Sequence, residues 1–252
     1  MRKTITVLTF VLTVGLLAYS QSSAQAAPAA KPAAPAQGTA PAAATKPMAI
    51  INTTAGKLTC TLFPDKAPIG VANFIGLASG TKDWKTPSGA AKHGVPLYDG
   101  TIFHRVIPDF MIQGGDPAGT GSGPDPVKPF KNEVSANLLF DKAGRLAYAN
   151  AGPDTNSSQF FITQVAFTGS QAQILNGHYT IFGQCDEDAV KLVTEIAGMS
   201  RDQRNDRPYR PVKIVHISII RGTGGAAAAK PGAGTAAKKP AAAAPKASAN
   251  SN

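Results

Sequence analysis

The sequence has few of the features that define several large protein classes. It contains 2 cysteines among 252 residues, too few for a disulfide-dense scaffold or a cysteine-rich zinc site. Its 4 histidines do not have the spacing of metal ligands, so we expect no metal and no other cofactor. The apolar run at residues 7–18 is shorter than the roughly 20 residues a membrane span needs. We therefore expect a soluble mature protein without a membrane span.

Acidic residues are absent from both ends of the chain. All 15 of them lie between residues 48 and 221, together with most of the 25 lysines and arginines. The formal net charge of +10 therefore arises mainly outside this segment, which is itself close to neutral. A nucleic-acid-binding domain would instead carry a basic face with interspersed aromatic residues. We expect no nucleic-acid partner.

The first 26 residues have the pattern of a secretory signal peptide. Arg2 and Lys3 precede the apolar run 7–18, and the small residues Ala24 and Ala26 offer a cleavage site. We expect an exported protein whose signal peptide, residues 1–26, is removed. The sequence leaves open whether the mature protein stays in the periplasm or is released.

Two low-complexity segments flank the middle of the chain. Residues 27–47 and 222–252 consist mainly of Ala, Pro, Lys and Gly, and they lack the large apolar side chains that offset the entropy of ordering. We expect a disordered linker and a disordered tail around one domain, residues 48–221. We expect this domain to be a monomer.

Short strand-like runs dominate that domain. A hairpin is indicated at 48–63, and further strands at 102–107, 110–113, 145–149, 159–163, 179–184 and 212–220. Only two helices are predicted, at 67–79 and 187–197, with Asp186 as the N-cap of the second. Many short strands without regular alternation with helices indicate a mainly β fold, an antiparallel barrel closed by helices.

The two cysteines, Cys60 and Cys185, lie in or next to predicted strands. In an exported protein they could pair. Spacing alone does not show that their Cα atoms come within bonding range. We favour two unpaired, buried small side chains.

Three segments stand out as candidates for function: residues 103–116 (FHRVIPDFMIQGGD), 146–162 (LAYANAGPDTNSSQFFI) and 175–183 (LNGHYTIFG). Strand alternation places Phe103, Arg105 and Ile107 on one face. A guanidinium beside aromatic, thioether and amide groups suits a short peptide with an apolar side chain. It does not suit acid–base or nucleophilic chemistry.

These segments, in this order and spacing, resemble the cyclophilin family, and the likeness covers about residues 48–220. The resemblance implies an eight-stranded antiparallel barrel closed by two α-helices and a peptidyl-prolyl cis/trans isomerase acting on proline-containing polypeptides. By position, Arg105 matches the catalytic arginine of the family. The residues matching its proline pocket and peptide-binding positions are Phe110, Met111, Gln113, Ala149, Asn150, Gln159, Phe161, Leu175 and Tyr179.

The sequence departs from well-known eukaryotic members at two positions. Ile174 stands where those proteins have tryptophan, and Tyr179 where they have histidine. Because the indole N–H donor is lost at position 174, we do not expect strong cyclosporin binding. Tyrosine at 179 still offers a ring and a polar tip for a pocket wall.

Alternatives remain for the central residues. Arg105 could serve only in a structural salt bridge, and we interpret the adjacent His104 as structural because amide rotation needs no proton transfer. The protein could also be an envelope-associated module that binds proline peptides or acts as a chaperone, with incidental isomerase activity. An intact Arg105 favours the enzyme, since a pure binder needs only the pocket.

Overall fold

The computed structural model describes residues 45–221. The predicted signal peptide, the tail and nearly all of the linker lie outside these residues. The strands are β1 (Met48–Thr53), β2 (Gly56–Leu62), β3 (Trp84–Lys85), β4 (Ala91–Lys92), β5 (Arg105–Ile107), β6 (Met111–Gly114), β7 (Arg145–Tyr148), β8 (Phe160–Thr163), β9 (Ile181–Cys185), β10 (Arg201–Asp202), β11 (Arg207–Pro208) and β12 (Ile214–Ile220). The helices are α1 (Pro68–Ser79), α2 (Gly169–Leu175) and α3 (Glu187–Ala197). No helix in the described residues is long and apolar enough to cross a bilayer.

Eight strands form one antiparallel sheet, in the order β12-β1-β2-β9-β7-β8-β6-β5. Its two edges meet where residues just before β5 lie beside the start of β12. Phe103 N–H donates to the Val212 carbonyl over 3.0 Å, and Ile214 N–H donates to the Thr101 carbonyl over 2.8 Å. These bonds link the segment that leads into β5 with the start of β12, so the two edges of the sheet meet as closure of a barrel requires. The predicted mainly β, eight-stranded antiparallel fold is confirmed.

Helices α1 and α3 occupy the predicted positions. Helix α1 starts at Pro68, and the Glu133 carboxylate accepts from its first free N–H groups, those of Ile69 (2.9 Å) and Gly70 (2.7 Å). Helix α3 is capped as predicted, because Asp186 Oδ1 accepts from Ala189 N–H over 2.8 Å. Helix α2 was not predicted, so residues 45–221 contain three helices rather than two.

The interior consists of two apolar clusters on opposite faces of the central strands. The larger one fills the barrel and includes Phe74, Phe160 and Phe182. The rings of Phe74 and Phe160 meet edge to face at 5.6 Å, a favourable aromatic geometry. The smaller cluster lies on the outer face and consists of Met111, Phe140, Ala147, Phe161, Phe167, Leu175 and Ile181. Strands β7 and β8 are therefore buried on both faces.

Cys60 and Cys185 form a disulfide, so our preference for two unpaired cysteines was wrong. The two residues lie directly opposite each other in the β2–β9 ladder, and both are buried. The pairing of these strands brings together positions that are 125 residues apart in the chain. Sequence spacing could not reveal this register.

Candidate active site

The β5–β6 hairpin places three of the predicted site residues. Its register sets Arg105 opposite Gln113. Met111 lies on the same strand as Gln113, two residues earlier in the chain. The connecting turn has Asp109 at φ 57°, a conformation that Asp tolerates, and Asp109 N–H donates to Gln164 Oε1 over 2.7 Å. The prediction that Phe103 shares the face of Arg105 was wrong. Strand β5 begins only at Arg105, and Phe103 is fully buried in the larger core.

A cavity of about 140 Å³ lies on the outer face of the sheet, above the smaller apolar cluster. It brings together nine of the ten predicted site residues. They are Arg105, Phe110, Met111, Gln113, Ala149, Asn150, Phe161, Leu175 and Tyr179. Residues from β5, β6, β8 and α2 thus converge on one small space.

The apolar wall of this cavity is rigidly supported. Met111, Phe161 and Leu175 are each at least nine-tenths buried. The Phe161 ring stacks on Phe140 at 5.6 Å and meets the Tyr179 ring edge to face at 5.7 Å. The side chains that line the cavity are therefore packed against other rings from behind.

The tenth predicted residue, Gln159, lies beside the cavity rather than in it. It lines a neighbouring cavity of about 360 Å³ that shares Gln113, Ala149 and Asn150 with the first. Gln113 Nε2 donates to Gln159 Oε1 over 3.0 Å, and Gln159 Nε2 donates to the Gly121 carbonyl over 3.2 Å. Gln159 therefore holds the amide of Gln113 in place.

Arg105 lies at the rim of the cavity and is partly exposed, with 41% of its side chain accessible. Its Nη1 lies 3.5 Å from Gln113 Oε1, and its Nε lies 3.5 Å from Asp206 Oδ2. Arg105 also lines a polar cavity of about 430 Å³ on its other side, with His104 and Arg207. The guanidinium thus has an ion-pair partner and still faces open space.

His104 differs sharply from its neighbour Arg105, since only 4% of it is exposed. Burial lowers the pKa of its imidazole, and the positive charges of Arg207 and Arg105 act in the same direction, against the opposing effect of Asp116. Burial also works to raise the pKa of Asp116. Three backbone N–H groups outweigh that effect and hold this pKa below its ordinary value.

Sequence reasoning missed three residues that shape the site. Phe140, between β6 and β7, and Phe167, between β8 and α2, support the apolar wall from two connections to which we assigned no structure. Asp206 pairs with Arg105 across 101 positions of sequence, from the connection between α3 and β12. No motif marks these positions, because each contact depends on how distant segments pack together.

The geometry defines a class of protein. The residues lining the 140 Å³ cavity include one guanidinium, two side-chain amides and the phenol of Tyr179, but no carboxylate, thiol or imidazole. Such a site can bind a short peptide with an apolar side chain and donate hydrogen bonds to it. The fold is a β-barrel, and its cavity has an apolar wall with hydrogen-bond donors at the rim, a combination suited to binding a short peptide.

Comparisons with known proteins agree with this class. A family model described as cyclophilin type peptidyl-prolyl cis-trans isomerase matches residues 48–219. The chain is 46% identical over 171 residues to peptidyl-prolyl cis-trans isomerase A of Mycobacterium tuberculosis. The aligned region covers 68% of this chain and 91% of that protein. It is 43% identical over 172 residues to peptidyl-prolyl cis-trans isomerase B of Streptomyces anulatus, covering 68% of this chain and 95% of the relative.

Solved structures give the same result. A cyclophilin-type isomerase of Cryptosporidium parvum superposes with a TM-score of 0.58 at 32% identity, covering 69% of this chain and 96% of that structure. The chain belongs to the cyclophilin-type peptidyl-prolyl cis-trans isomerases. The prediction of an isomerase is therefore confirmed.

Proposed function

We propose that this isomerase rotates X-Pro bonds by non-covalent stabilisation of the transition state, with Arg105 as its catalytic residue. In this proposal the proline ring occupies the 140 Å³ cavity against Phe110, Met111 and Phe161, and Arg105 donates a hydrogen bond to the proline nitrogen. The observation that carries the proposal is that the Arg105 guanidinium lines the same small cavity as these apolar side chains.

The chemistry follows from the electronic structure of the amide. Rotation about an X-Pro bond has a barrier of about 18–20 kcal/mol because the nitrogen lone pair is shared with the carbonyl. The lone pair localises on nitrogen only when the bond twists, so nitrogen accepts a hydrogen bond from Arg105 mainly in the transition state. An interaction that strengthens in the transition state is what accelerates a reaction.

The remaining predicted residues have binding roles in this proposal. Leu175 and Tyr179 complete the pocket wall, while Gln113, Ala149, Asn150 and Gln159 face the backbone of the bound peptide. A C. parvum relative was crystallised in the presence of the dipeptide Ala-Pro, which supports proline-containing polypeptides as substrates here. Ile174 is 66% exposed and offers no N–H donor, which supports weak binding of cyclosporin.

We also propose that the substrates are exported proteins. Residues 1–26 have the features of a signal peptide. The Cys60–Cys185 disulfide supports export independently, because disulfides persist in oxidising compartments and are rare in the cytosol. In this setting the enzyme would accelerate proline isomerisation in newly exported chains, a step that otherwise takes tens of seconds or more.

The test of catalysis is the Arg105→Ala substitution. We expect kcat/KM for an Ala-Pro tetrapeptide to fall about 100-fold, with KM changed little, because a hydrogen bond made mainly in the transition state is lost. Protease-coupled isomerisation measures both constants. Arg204→Ala is the matched control, since Arg204 is exposed and pairs with Asp202, away from the cavity.

Two results would contradict the proposal. A wild-type rate no higher than the spontaneous rate would exclude the isomerase activity, and peptide binding measured by NMR would then indicate a binding module. Wild-type activity in Arg105→Ala would exclude the role of Arg105 while leaving the isomerase activity in place.

A further inference from the structure

Two oxygen atoms hold the Arg105 side chain at the rim of its cavity. Gln113 Oε1 lies 3.5 Å from Nη1, and Asp206 Oδ2 lies 3.5 Å from Nε. Within residues 45–221, Nη2 has no hydrogen-bond partner. The two contacts therefore engage Nε and Nη1, which lie on different sides of the guanidinium, and they leave Nη2 as an available donor.

Asp206 is itself held in place from several sides. Its carbonyl accepts from Val106 N–H over 2.9 Å, and its own N–H donates to the Asp202 carbonyl over 2.8 Å. Its carboxylate accepts from Arg201 Nε over 3.1 Å. Since Val106 is the residue after Arg105 in β5, Asp206 is anchored to the strand that carries the arginine.

The charges around Arg105 do not cancel. Arg105, Arg201 and Asp206 together carry a net positive charge of one, because the single carboxylate is shared between two guanidinium groups. Asp206 can therefore fix the orientation of Arg105 while the group as a whole stays cationic. A carboxylate paired with Arg105 alone would offset more of that charge.

We propose that Asp206 is a positioning residue for catalysis, one that holds the Arg105 guanidinium in the orientation it needs at the twisted X-Pro bond. This inference depends on the catalytic role proposed for Arg105. A long side chain left without this contact spreads over several rotamers, and fewer of them place a donor at the proline nitrogen. Loss of Asp206 should lower kcat and leave substrate binding nearly unchanged.

Two substitutions at position 206 change the side chain without straining the backbone. Asp206 has φ 57°, which asparagine and glycine tolerate and alanine does not. We expect Asp206→Asn, which keeps an oxygen acceptor, to lower kcat about threefold, and Asp206→Gly about tenfold, with KM within about twofold of wild type. The matched control, Asp202→Asn, removes a carboxylate of the same connection that pairs with the exposed Arg204 and should leave kcat unchanged.

A double-mutant cycle distinguishes this inference from the proposed function. Asp206→Gly should have no further effect on kcat when Arg105 is already alanine, because it acts through that side chain. An equal loss of kcat in both backgrounds would overturn the positioning role, as would an Asp206→Gly enzyme with a lowered melting temperature and wild-type kcat. Full activity in Arg105→Ala would instead overturn the proposed role of Arg105 itself.

A spectroscopic measurement covers the case in which Asp206→Gly does not fold. The Arg105 Nε–H proton should exchange slowly with water in wild type and in Asp202→Asn, and faster in Asp206→Asn. NMR with ¹⁵N-labelled arginine measures this exchange. Equal exchange in all three proteins would show that the ion pair does not restrain Arg105.

Discussion

His104 and Arg105 are adjacent in the chain but differ strongly in burial: His104 is almost fully buried, whereas Arg105 is partly exposed. The His104 imidazole packs against Gly121, where an added Cβ would come within 2.9 Å of Nε2. Neither ring nitrogen has a hydrogen-bond partner among the described residues. Burial disfavours a protonated imidazole at this position and lowers its pKa, and Arg207 and Arg105 add to this effect while Asp116 opposes it.

This gives a prediction for stability against pH. Since burial puts the folded-state pKa of His104 below the unfolded value of 6.5, the unfolded chain takes up a proton first as the pH falls. The free energy of unfolding should therefore decrease from about pH 6.5 downward, until the folded-state pKa is reached. Urea titrations at pH 7.5 and 5.5 should show a larger decrease for wild type than for His104→Leu.

The control for this prediction is His93→Gln. His93 is exposed and paired with Asp83, so its removal should leave most of the pH dependence in place. If His104→Leu and wild type lose stability equally between the two pH values, another group titrates in this range and the assignment to His104 is wrong.

At the residue scale, the sequence predicted which side chains meet but not what restrains them. Arg105 and nine further positions were predicted from three segments, and nine of the ten residues line one cavity. The ion pair of Arg105 with Asp206 was not predictable, because Asp206 lies in a turn with no motif. The roles of the ten residues stay predictions until the variants are measured.

The disulfide is a property of two strands, β2 and β9. It closes a loop of 125 residues, and cross-linking so long a segment strongly restricts the unfolded chain. The double substitution Cys60→Ala/Cys185→Ala should lower the free energy of unfolding by about 2–4 kcal/mol, measured by urea denaturation. Wild type treated with dithiothreitol should lose a similar amount.

The double alanine variant provides its own control, because its stability should not respond to dithiothreitol. If thiol titration shows that dithiothreitol has reduced both cysteines of wild type, and the urea denaturation midpoint is nevertheless the same as before reduction, this stabilising role is contradicted.

At the element scale, signals of different strength explain which helices were predicted. Helix α3 has Asp186 as a capping residue and acidic side chains in its first turn. Helix α2 has seven residues, no side-chain cap bond and no charged residue at either end. It forms because Leu175 packs into the smaller apolar cluster, a tertiary contact that local sequence does not encode.

At the scale of the whole molecule, the recurrence of short strands and the long cyclophilin-like segments predicted the barrel correctly. The domain boundaries at residues 48 and 221 and the monomeric state stay predictions. The register that pairs Cys60 with Cys185 could not be predicted, since it depends on how β2 and β9 are aligned in the closed sheet.

Export can be tested on the full chain. After expression in a bacterium with a general secretion pathway, N-terminal sequencing should find Ala27 as the first residue of the mature protein. Replacing the small residue before the cleavage site, Ala26→Phe, should leave the precursor uncleaved. An intact N-terminus on wild type, recovered only from the cytosol, would contradict the proposed export.

The glutamine pair beside the cavity has a consequence for how this groove can vary. The side-chain oxygen of each glutamine faces Arg105 and its nitrogen faces away from it. The three hydrogen bonds between the guanidinium and the Gly121 carbonyl therefore all point in the same direction. Only a side chain that is donor and acceptor at once can occupy either place. Glutamate at position 113 has no N–H to donate, so its anionic oxygen would face the carbonyl oxygen of Gln159 and would also place a full negative charge beside Arg105, although it differs from glutamine by a single group.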